Sequence, residues 1–456
     1  MTGLFQDKQV VVLGLARSGF AVAKLLVEQG AKVTLNDVRE RVDCASEAGS
    51  LEQMGVSVIC GGHPDDLISK QVDLVVKNPG IPYHIRPIEQ ALQLGIPVVT
   101  EVEIASQFSK APIIGITGSN GKTTTTTLVG KMLQSSGVSA TVAGNIGQAL
   151  SEVTPQLSEN DWLVAELSSF QLKGTVTFRP KIAALLNVTP AHMDYHQTME
   201  DYIASKWNLF QNQAQDDVAI LNADSAICRE LAENGDLKGR VIWFSKDKLT
   251  SQGVYIKDGL LVSSLDGNET VILPVEEVAL PGSFNLENVL AATAISIVAG
   301  ASAEKVAETI RTFRGVEHRL EYVETVEGIR YYNDSKATNV QAALTALTSF
   351  EEPIVWIAGG LDRGVDFQEL TPVLSERVQA VIAYGESAPI LALRAKEAGI
   401  ESIIQVEDVE EAVYSAREIS CFGDVVVLSP ACASWDLYTS FEQRGSIFKQ
   451  AVHRLV

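Results

Sequence analysis

Short β-branched and apolar runs alternate with stretches of helical spacing along nearly the whole chain. The runs "VVVLGL", "AKVTLND", "VSVICGG", "DLVVKNPG" and "PVVTEVE" punctuate the first hundred residues. "PIIGITG", "WLVAELSS", "IAALLNV", "VAILNAD" and "VIWFS" punctuate the next block, and "PIVWIAGG", "AVIAYGES" and "DVVVLSPA" the last. Short runs separated by helix-length segments predict βαβ units and mostly parallel sheets. Between residues 250 and 282 the rhythm changes. There "GVYIKDGLLVSS" has a central Asp-Gly, which predicts a hairpin and a small antiparallel piece. The alanine-rich "VLAATAISIVAGASA" is broken by Thr, Ser and Gly and predicts a buried helix, not a membrane span.

Three groups of strands imply an α/β protein with three sheets and three domains. One boundary is expected between Glu101 and Lys110 and another in "TFRGVEHRLEYV", giving domains 1–104, 105–315 and 316–456. A chain of 456 residues with 46% apolar and 20% charged residues can fill that many cores, and its composition is not that of a disordered chain. A formal net charge of -21 argues against nucleic acid as a partner. Anionic small molecules remain open, because local lysines and helix N-termini bind them within a negative protein. The five cysteines, at 44, 60, 228, 421 and 432, form no CxxC pair and are expected to be reduced, buried thiols. "MTGLFQDKQVVVLG" runs into a strand without a basic-then-apolar leader, so a cytoplasmic protein is expected.

Two glycine-rich turns carry candidate chemistry. Gly14-Leu15-Ala16-Arg17-Ser18-Gly19 follows a strand and opens a helix, and Asp37 ends the next strand. A tight turn, a helix N-terminus for a pyrophosphate and an acid for a ribose hydroxyl make up the dinucleotide fingerprint. Here Ala16 replaces the middle glycine, so NAD(P), another nucleotide and simple packing all stay open. The second turn, Gly118-Ser119-Asn120-Gly121-Lys122-Thr123, joins "PIIGITG" to an apolar helix. Its N–H groups suit phosphate oxygens, Lys122 the terminal phosphates, and the Thr123 hydroxyl a Mg²⁺ shell. The usual phosphate loop has glycine where this chain has Ile116, so this is a shorter G-x-x-G-K-T loop. Thr124 to Thr127 are expected to serve the helix start.

A Mg–ATP site needs further ligands. Glu166 ends the strand "WLVAELSS", His192 and Asp194 lie in "NVTPAHMDYH", and Lys206 lies in "DYIASKWNLF". Each alone is equally at home as a structural or surface residue. In the last block Arg319 suits a phosphate, Asp334 suits ribose hydroxyls, and Lys336 adds positive charge. The tail "LSPACASWDLYTSFEQRG" suits a small polar pocket.

Together, "GITGSNGKTTT", "AGNIG", "ELSSFQL", "NVTPAHMDYH", "ASKWN", "GSFNLENVLAA", "HRLEYV", "YNDSKATN" and "LSPACASWD" resemble, in that order, the Mur ligases, ATP-dependent amino-acid ligases of peptidoglycan precursor synthesis. The resemblance spans the whole chain. "GLARSG", "NPGIP" and "ELSSFQL" look most like the branch that adds D-glutamate to UDP-N-acetylmuramoyl-L-alanine. It implies a Rossmann-like N-terminal domain for the UDP end, a central P-loop ATPase-like domain, and a Rossmann-like C-terminal domain that brings the amino acid and closes on ATP. Two turns then serve two nucleotides, and no NAD is needed.

The resemblance also implies roles residue by residue. Gly118 to Thr124, Asn285 and Arg319 contact ATP, and Asp334 its ribose. Thr123, Glu166, His192 and Lys206 hold two Mg²⁺ ions, Lys206 as a carbamate. Lys122, His192 and Lys206 are the catalytic set. Ala16 and Asn145 touch the sugar nucleotide, and Asp37 and Arg39 lie at its uracil end. Lys336, Thr338, Ser429 and Phe441 line the amino-acid side. Some family members carry a lysine after the "GG" of the third domain, where this chain offers Arg363, a planar bidentate group in place of a point charge. A monomer working on small molecules is expected, with no nucleic acid or membrane partner. The rival readings are a ligase for another amino acid, a nicotinamide-dependent oxidoreductase using the first turn, and a non-catalytic nucleotide switch.

Overall fold

The computed structural model describes residues 3–248, 252–265, 267–280 and 282–456, without the side chains at 194, 283 and 284. The candidate Asp194 side chain therefore lies outside the described residues. By internal contacts, Met1–Ala279 with Ser283–Thr312 form one compact unit, and Leu280–Gly282 with Phe313–Val456 form another. The first unit holds two sheets and the second holds one.

The first sheet contains β1 (Gln9–Leu13), β2 (Lys32–Asn36), β3 (Ser57–Ile59), β4 (Leu74–Lys77) and β5 (Val98–Thr100). They are all parallel, in the order β3-β2-β1-β4-β5. The order reverses at β1, so a crevice opens beyond its C-terminal end. Leu13 pairs with Asn36 on one side and Lys77 on the other, which puts Asn36 and Lys77 at the rim of that crevice. The strands are almost continuous Val and Leu because helices such as Arg17–Glu28 cover them.

The second sheet contains β6 (Ile113–Thr117), β7 (Ala140–Gly144), β8 (Trp162–Glu166), β9 (Ile182–Leu185), β10 (Val218–Asn222), β11 (Arg240–Ser245), β12 (Gly253–Lys257), β13 (Leu260–Ser263) and β14 (Thr270–Pro274). Its order is β14-β13-β12-β11-β10-β9-β6-β8-β7, parallel as far as β12 and antiparallel beyond it. The expected hairpin is present: Asp258 and Gly259 both adopt positive φ, 51° and 74°, between β12 and β13. β6 is buried at all five positions and lies between β8 and β9. The helix Lys122–Ser135 that follows it has five threonines after its first residue, and threonine is a poor helix former. Tertiary packing holds it instead: Leu128, Val129, Met132 and Leu133 are buried, and it packs on the helix Ser283–Val298. That second helix is the buried, alanine-rich one expected from the sequence.

The third sheet contains β15 (Glu321–Val326), β16 (Ile329–Asn333), β17 (Ile354–Gly359), β18 (Val378–Tyr384), β19 (Ser402–Val406) and β20 (Val425–Leu428). Its order is β15-β16-β20-β17-β18-β19, with only the β15–β16 pair antiparallel. Every apolar run named above forms a strand. No helix among the described residues is long and apolar enough to cross a membrane. The thiols depart from the expectation of uniform burial. Cys44, Cys228 and Cys432 are buried, Cys60 is half-buried, and Cys421 is exposed because it sits in the turn before β20.

Candidate active site

The loop after β6 is shaped by its glycines and pinned by its neighbours. Gly121 has φ 81°, and a Cβ there would run into Oδ1 of Asn288, so only glycine fits. The Asn120 N–H donates to Asn187 Oδ1 at 2.9 Å, and the Ser119 N–H donates to the Asn187 carbonyl at 3.0 Å. The Ser119 hydroxyl donates to the Thr189 carbonyl at 2.9 Å and lies 2.9 Å from the Tyr202 hydroxyl. Asn288 in turn donates to Asn285 Oδ1 at 3.1 Å. A loop held this way presents its backbone without reorganising when an anion arrives.

Two lysines converge on one carbonyl of that loop. Lys122 Nζ and Lys206 Nζ each donate to Gly118 O at 2.8 Å, and Lys122 also donates to Ser119 O at 2.9 Å. Lys206 is 2% exposed, with its Nζ 4.5 Å from the centre of the Tyr202 ring. Burial first, and the Lys122 charge second, push its pKa well below that of an ordinary lysine. A neutral amine at this position is a nucleophile.

Glu166 ends β8, opposite Ile116 of β6 and Gly144 of β7. It is 1% exposed. Its Oε1 accepts from Asn145 Nδ2 at 2.8 Å, whereas Oε2 is buried with no hydrogen-bond partner. An orphaned buried carboxylate oxygen is costly unless a cation or donor satisfies it, so the position fits a Mg²⁺ ion. His192 precedes the short helix Met193–His196 with φ 58°, and its ring meets Phe170 edge-on at 4.9 Å. Among the described residues, no three His, Cys, Asp or Glu side chains cluster as a ready-made metal site. A hard cation at Glu166 takes further oxygen ligands besides this carboxylate.

The first glycine turn is arranged differently. Gly14 has φ 94°, and Asp37 Oδ2 accepts the Leu15 N–H at 2.5 Å. Asp37 Oδ1 pairs with Arg39 Nε at 3.1 Å, and Arg39 also donates to Leu15 O at 2.8 Å. Burial raises the Asp37 carboxyl, but hydrogen bonds from Arg39 and from the Arg39 and Leu15 N–H groups outweigh it and hold the pKa below the usual range. Ala16, Asp37 and Arg39 share a cavity of about 380 Å³ with Asn36, His63, Asn78 and Ile81. Asn145 does not line it; it stands with Glu166.

In the second unit the expected residues fall into three groups. Thr338 and Arg363 line a cavity of about 330 Å³ with Leu361, Phe367 and Ala433, and Arg363 stacks on Trp435 at 4.9 Å. Lys336 lies over the Phe441 ring at 5.8 Å. Asp334 is buried, accepting from Ser429 Oγ at 2.9 Å and the Leu320 N–H at 3.1 Å, and burial pushes its pKa up to about 7. Ser429, Lys336 and Phe441 do not line the cavity that holds Arg363.

Several residues that shape these sites are absent from the sequence reading. Asn187 and Asn288 lie inside quoted motifs, and their signal was an amide at a fixed place in each. Arg444 is wholly buried, donating to Ser335 O at 2.8 Å and Cys432 O at 3.2 Å. Nothing local marked it. Lys77 closes the apolar strand β4, and nothing local marked its distant partner Tyr195.

With the geometry in place, comparison with known proteins is direct. Residues 8–100 match the family model described as Mur ligase MurD-like, N-terminal domain. Residues 116–296 match the Mur ligase middle domain, and residues 318–432 the Mur ligase, glutamate ligase domain. The UDP-N-acetylmuramoylalanine--D-glutamate ligase of Geobacillus sp. (strain WCH70) is 50% identical over 455 residues, covering 100% of this chain and 99% of that protein. The protein of the same name from Bacillus subtilis (strain 168) is 47% identical over 451 residues, covering 99% and 98%. Among solved structures, MurF from Acinetobacter baumannii has a TM-score of 0.58 at 17% identity, covering 98% of this chain and 94% of that one, a likeness of fold alone. Ordered motifs, fold and full-length likeness agree: this chain belongs to the Mur ligase family.

Proposed function

We propose that this chain joins D-glutamate to UDP-N-acetylmuramoyl-L-alanine at the expense of ATP, in peptidoglycan precursor synthesis. The observation that carries the reading is the pairing of two unlike nucleotide turns in one compact unit. One is closed by Asp37 and Arg39, and the other is lined by two lysines and follows a strand paired with the one that ends in Glu166 and its orphaned oxygen. The identity of the amino acid rests on the relatives' names.

A carboxylate is a poor acyl donor because oxide would have to leave. Its oxygen attacks the γ-phosphorus of ATP, ADP leaves, and an acyl phosphate forms. The amine of D-glutamate then adds to the acyl carbon, loses a proton, and the tetrahedral species expels phosphate. Lys122 offsets the repulsion between the two anions of the first step. Gly118 to Thr124 and Asn285 hold the ATP, with Arg319 and Asp334 as further contacts. Thr123, Glu166, His192 and a carbamate on Lys206 would hold Mg²⁺, which would supply positive charge to offset that of the phosphates. The lowered pKa of Lys206 favours the free amine, which is the form that adds CO₂. Ala16, Asp37, Arg39 and Asn145 take the sugar nucleotide, and Lys336, Thr338, Arg363, Ser429 and Phe441 the D-glutamate. The domains run 1–104, 105–315 and 316–456, and the protein works as a cytoplasmic monomer.

Phosphate release with ATP, Mg²⁺ and UDP-N-acetylmuramoyl-L-alanine, with D-glutamate present or omitted, tests the proposal. Release that requires D-glutamate, with a product one glutamyl residue heavier, is expected. Release with L-glutamate, L-alanine or lysine instead would move the amino-acid assignment. No release with any acceptor would leave only a nucleotide-binding protein.

A further inference from the structure

Lys77 is a lysine in a place where physics favours a hydrocarbon. It ends β4, is 1% exposed, and among the described residues no carboxylate pairs with it. Burying its charge is costly, and burial first and the nearby Lys173 charge second bring its pKa down to about 7. The cost is met by oxygen and by aromatic faces. Lys77 Nζ donates to Pro79 O at 2.9 Å, to Asn78 O at 3.3 Å and to the Tyr195 hydroxyl at 3.1 Å. It also lies 4.8 Å from the centre of the Tyr83 ring.

Those partners belong to two different places. Asn78, Ile81 and Pro82 line the cavity of Asp37 and Arg39. Tyr195 belongs to the helix Met193–His196, which His192 opens. The Tyr195 hydroxyl donates back to Pro79 O at 3.2 Å and Ile81 O at 3.4 Å, so lysine and tyrosine together clamp the Asn78–Ile81 segment. On its other side the Tyr195 ring meets Phe170 edge-on at 4.4 Å, and Phe170 meets His192 at 4.9 Å. The His192 backbone is left-handed, a conformation that a histidine holds only when its surroundings impose it. His196 anchors the far end of the helix through Asp201 at 2.7 Å and Ser169 at 2.9 Å. A continuous path thus runs from the rim of the first cavity, through Lys77, Tyr195 and Phe170, to His192.

We propose that Lys77 is a positioning residue that couples occupancy of the first nucleotide cavity to the placement of the His192 helix. The inference rests on the reading that this cavity takes the sugar nucleotide. A ligand seated against Asn78 and Ile81 fixes the carbonyls that Lys77 and Tyr195 bond, and Tyr195 then fixes the ring stack against His192. By linkage, holding the helix also favours the bound state of the cavity. A lysine with only a structural role predicts something different: its loss lowers stability and leaves the two sites independent.

Hydrogen exchange of the segment 190–200, measured by mass spectrometry without ATP or metal, separates these. Addition of UDP-N-acetylmuramoyl-L-alanine is expected to slow exchange there at least about threefold in the wild-type protein. Lys77→Met keeps the volume and removes the bonds, so it is expected to stay folded and lose the protection. Tyr195→Phe, which removes one hydroxyl and keeps the ring stack, is expected to lose it too. The double variant should be no worse than either single one, because both remove the same link. In turnover, both variants are expected to lower kcat about tenfold with the KM for ATP unchanged. Protection that survives in Lys77→Met and Tyr195→Phe, with calorimetry showing that the sugar nucleotide binds, overturns the coupling alone. No binding by the wild-type protein overturns the reading of the cavity and the coupling with it.

Discussion

The turns after β1 and β6 share a plan and differ in what neighbouring strands bring to it. Each follows a buried parallel strand where the sheet order reverses, each has a glycine at positive φ, and each opens a helix. At the first, the Asp37 carboxylate takes the Leu15 N–H, so an acid already stands where a phosphate oxygen would bond. At the second, amide and hydroxyl groups of Asn187 and Tyr202 hold the loop, and Lys122 and Lys206 both donate to its Gly118 carbonyl. Glycine spacing therefore sets backbone shape, while residues from elsewhere in the chain set the polar surroundings of each turn. A shared fingerprint is weak evidence for a shared nucleotide.

The comparison is broken most severely at Lys122. Lys122→Ala is expected to lower D-glutamate-dependent phosphate release by about 10²–10³-fold, the usual cost of losing one preorganised charge-stabilising group. Calorimetric binding of UDP-N-acetylmuramoyl-L-alanine should stay near the wild-type value. Loss of sugar-nucleotide affinity in this variant would mean that the two turns do not serve separate ligands.

Lys206 comes next. Lys206→Ala is expected to lose up to about 100-fold in rate, as metal-site supports do. Short carboxylates such as formate or acetate should restore part of it by supplying the missing oxygen anion. Full activity in the variant would remove the carbamate from the account, and low activity with no rescue would reduce Lys206 to packing.

Asp37→Asn keeps the shape and the bond to the Leu15 N–H but sets an NH₂ against Arg39. The KM for the sugar nucleotide is expected to rise about tenfold with the KM for ATP unchanged, in line with ~1–3 kcal/mol for an unsatisfied buried donor. The variant also has a signature in acid. Because the folded pKa of Asp37 is depressed, its contribution to stability is present above the unfolded value of about 4. It is lost as pH falls through the lower folded value, so the Asn variant should lose stability less steeply in that window. A change in the KM for ATP of similar size would tie the two turns together.

Most strands of the three sheets were readable because they are apolar runs with turn residues at both ends. The strands that escaped lack that signal. β7 is Ala-Thr-Val-Ala-Gly at a sheet edge, small residues that read as a loop. β19 is a half-exposed edge strand, and β14 lies beyond the hairpin at the other edge of its sheet. Placement was readable where it is local: Gly118 to Thr123 after β6, Glu166 at a strand end, Asp37 after β2. It was not readable where the partner is far along the chain. Lys77 meets Tyr195 across 118 positions, Gly121 meets Asn288, and Arg444 meets Ser335. Hydrophobic periodicity carries no information about such pairs, because each is fixed only when separate elements pack.

The smallest expected effect tests the comparison most pointedly. Ala16→Gly completes the G-x-G-x-x-G spacing that this chain lacks. Ala16 has φ -85° and ψ 179°, ordinary extended backbone, so glycine relieves no strain there. As the residue before the helix Arg17–Glu28 it makes no side-chain cap, and glycine changes helix stability there by only a few tenths of a kcal/mol. If Asp37 governs the first turn, a more open backbone at residue 16 gives a pyrophosphate nothing, because the Leu15 N–H is already taken. The variant is expected to bind no nicotinamide dinucleotide in a fluorescence titration and to keep its KM for the sugar nucleotide within about twofold. Gain of nicotinamide dinucleotide affinity would show that the side chain at 16, and not the acid on the next strand, had been selecting the ligand.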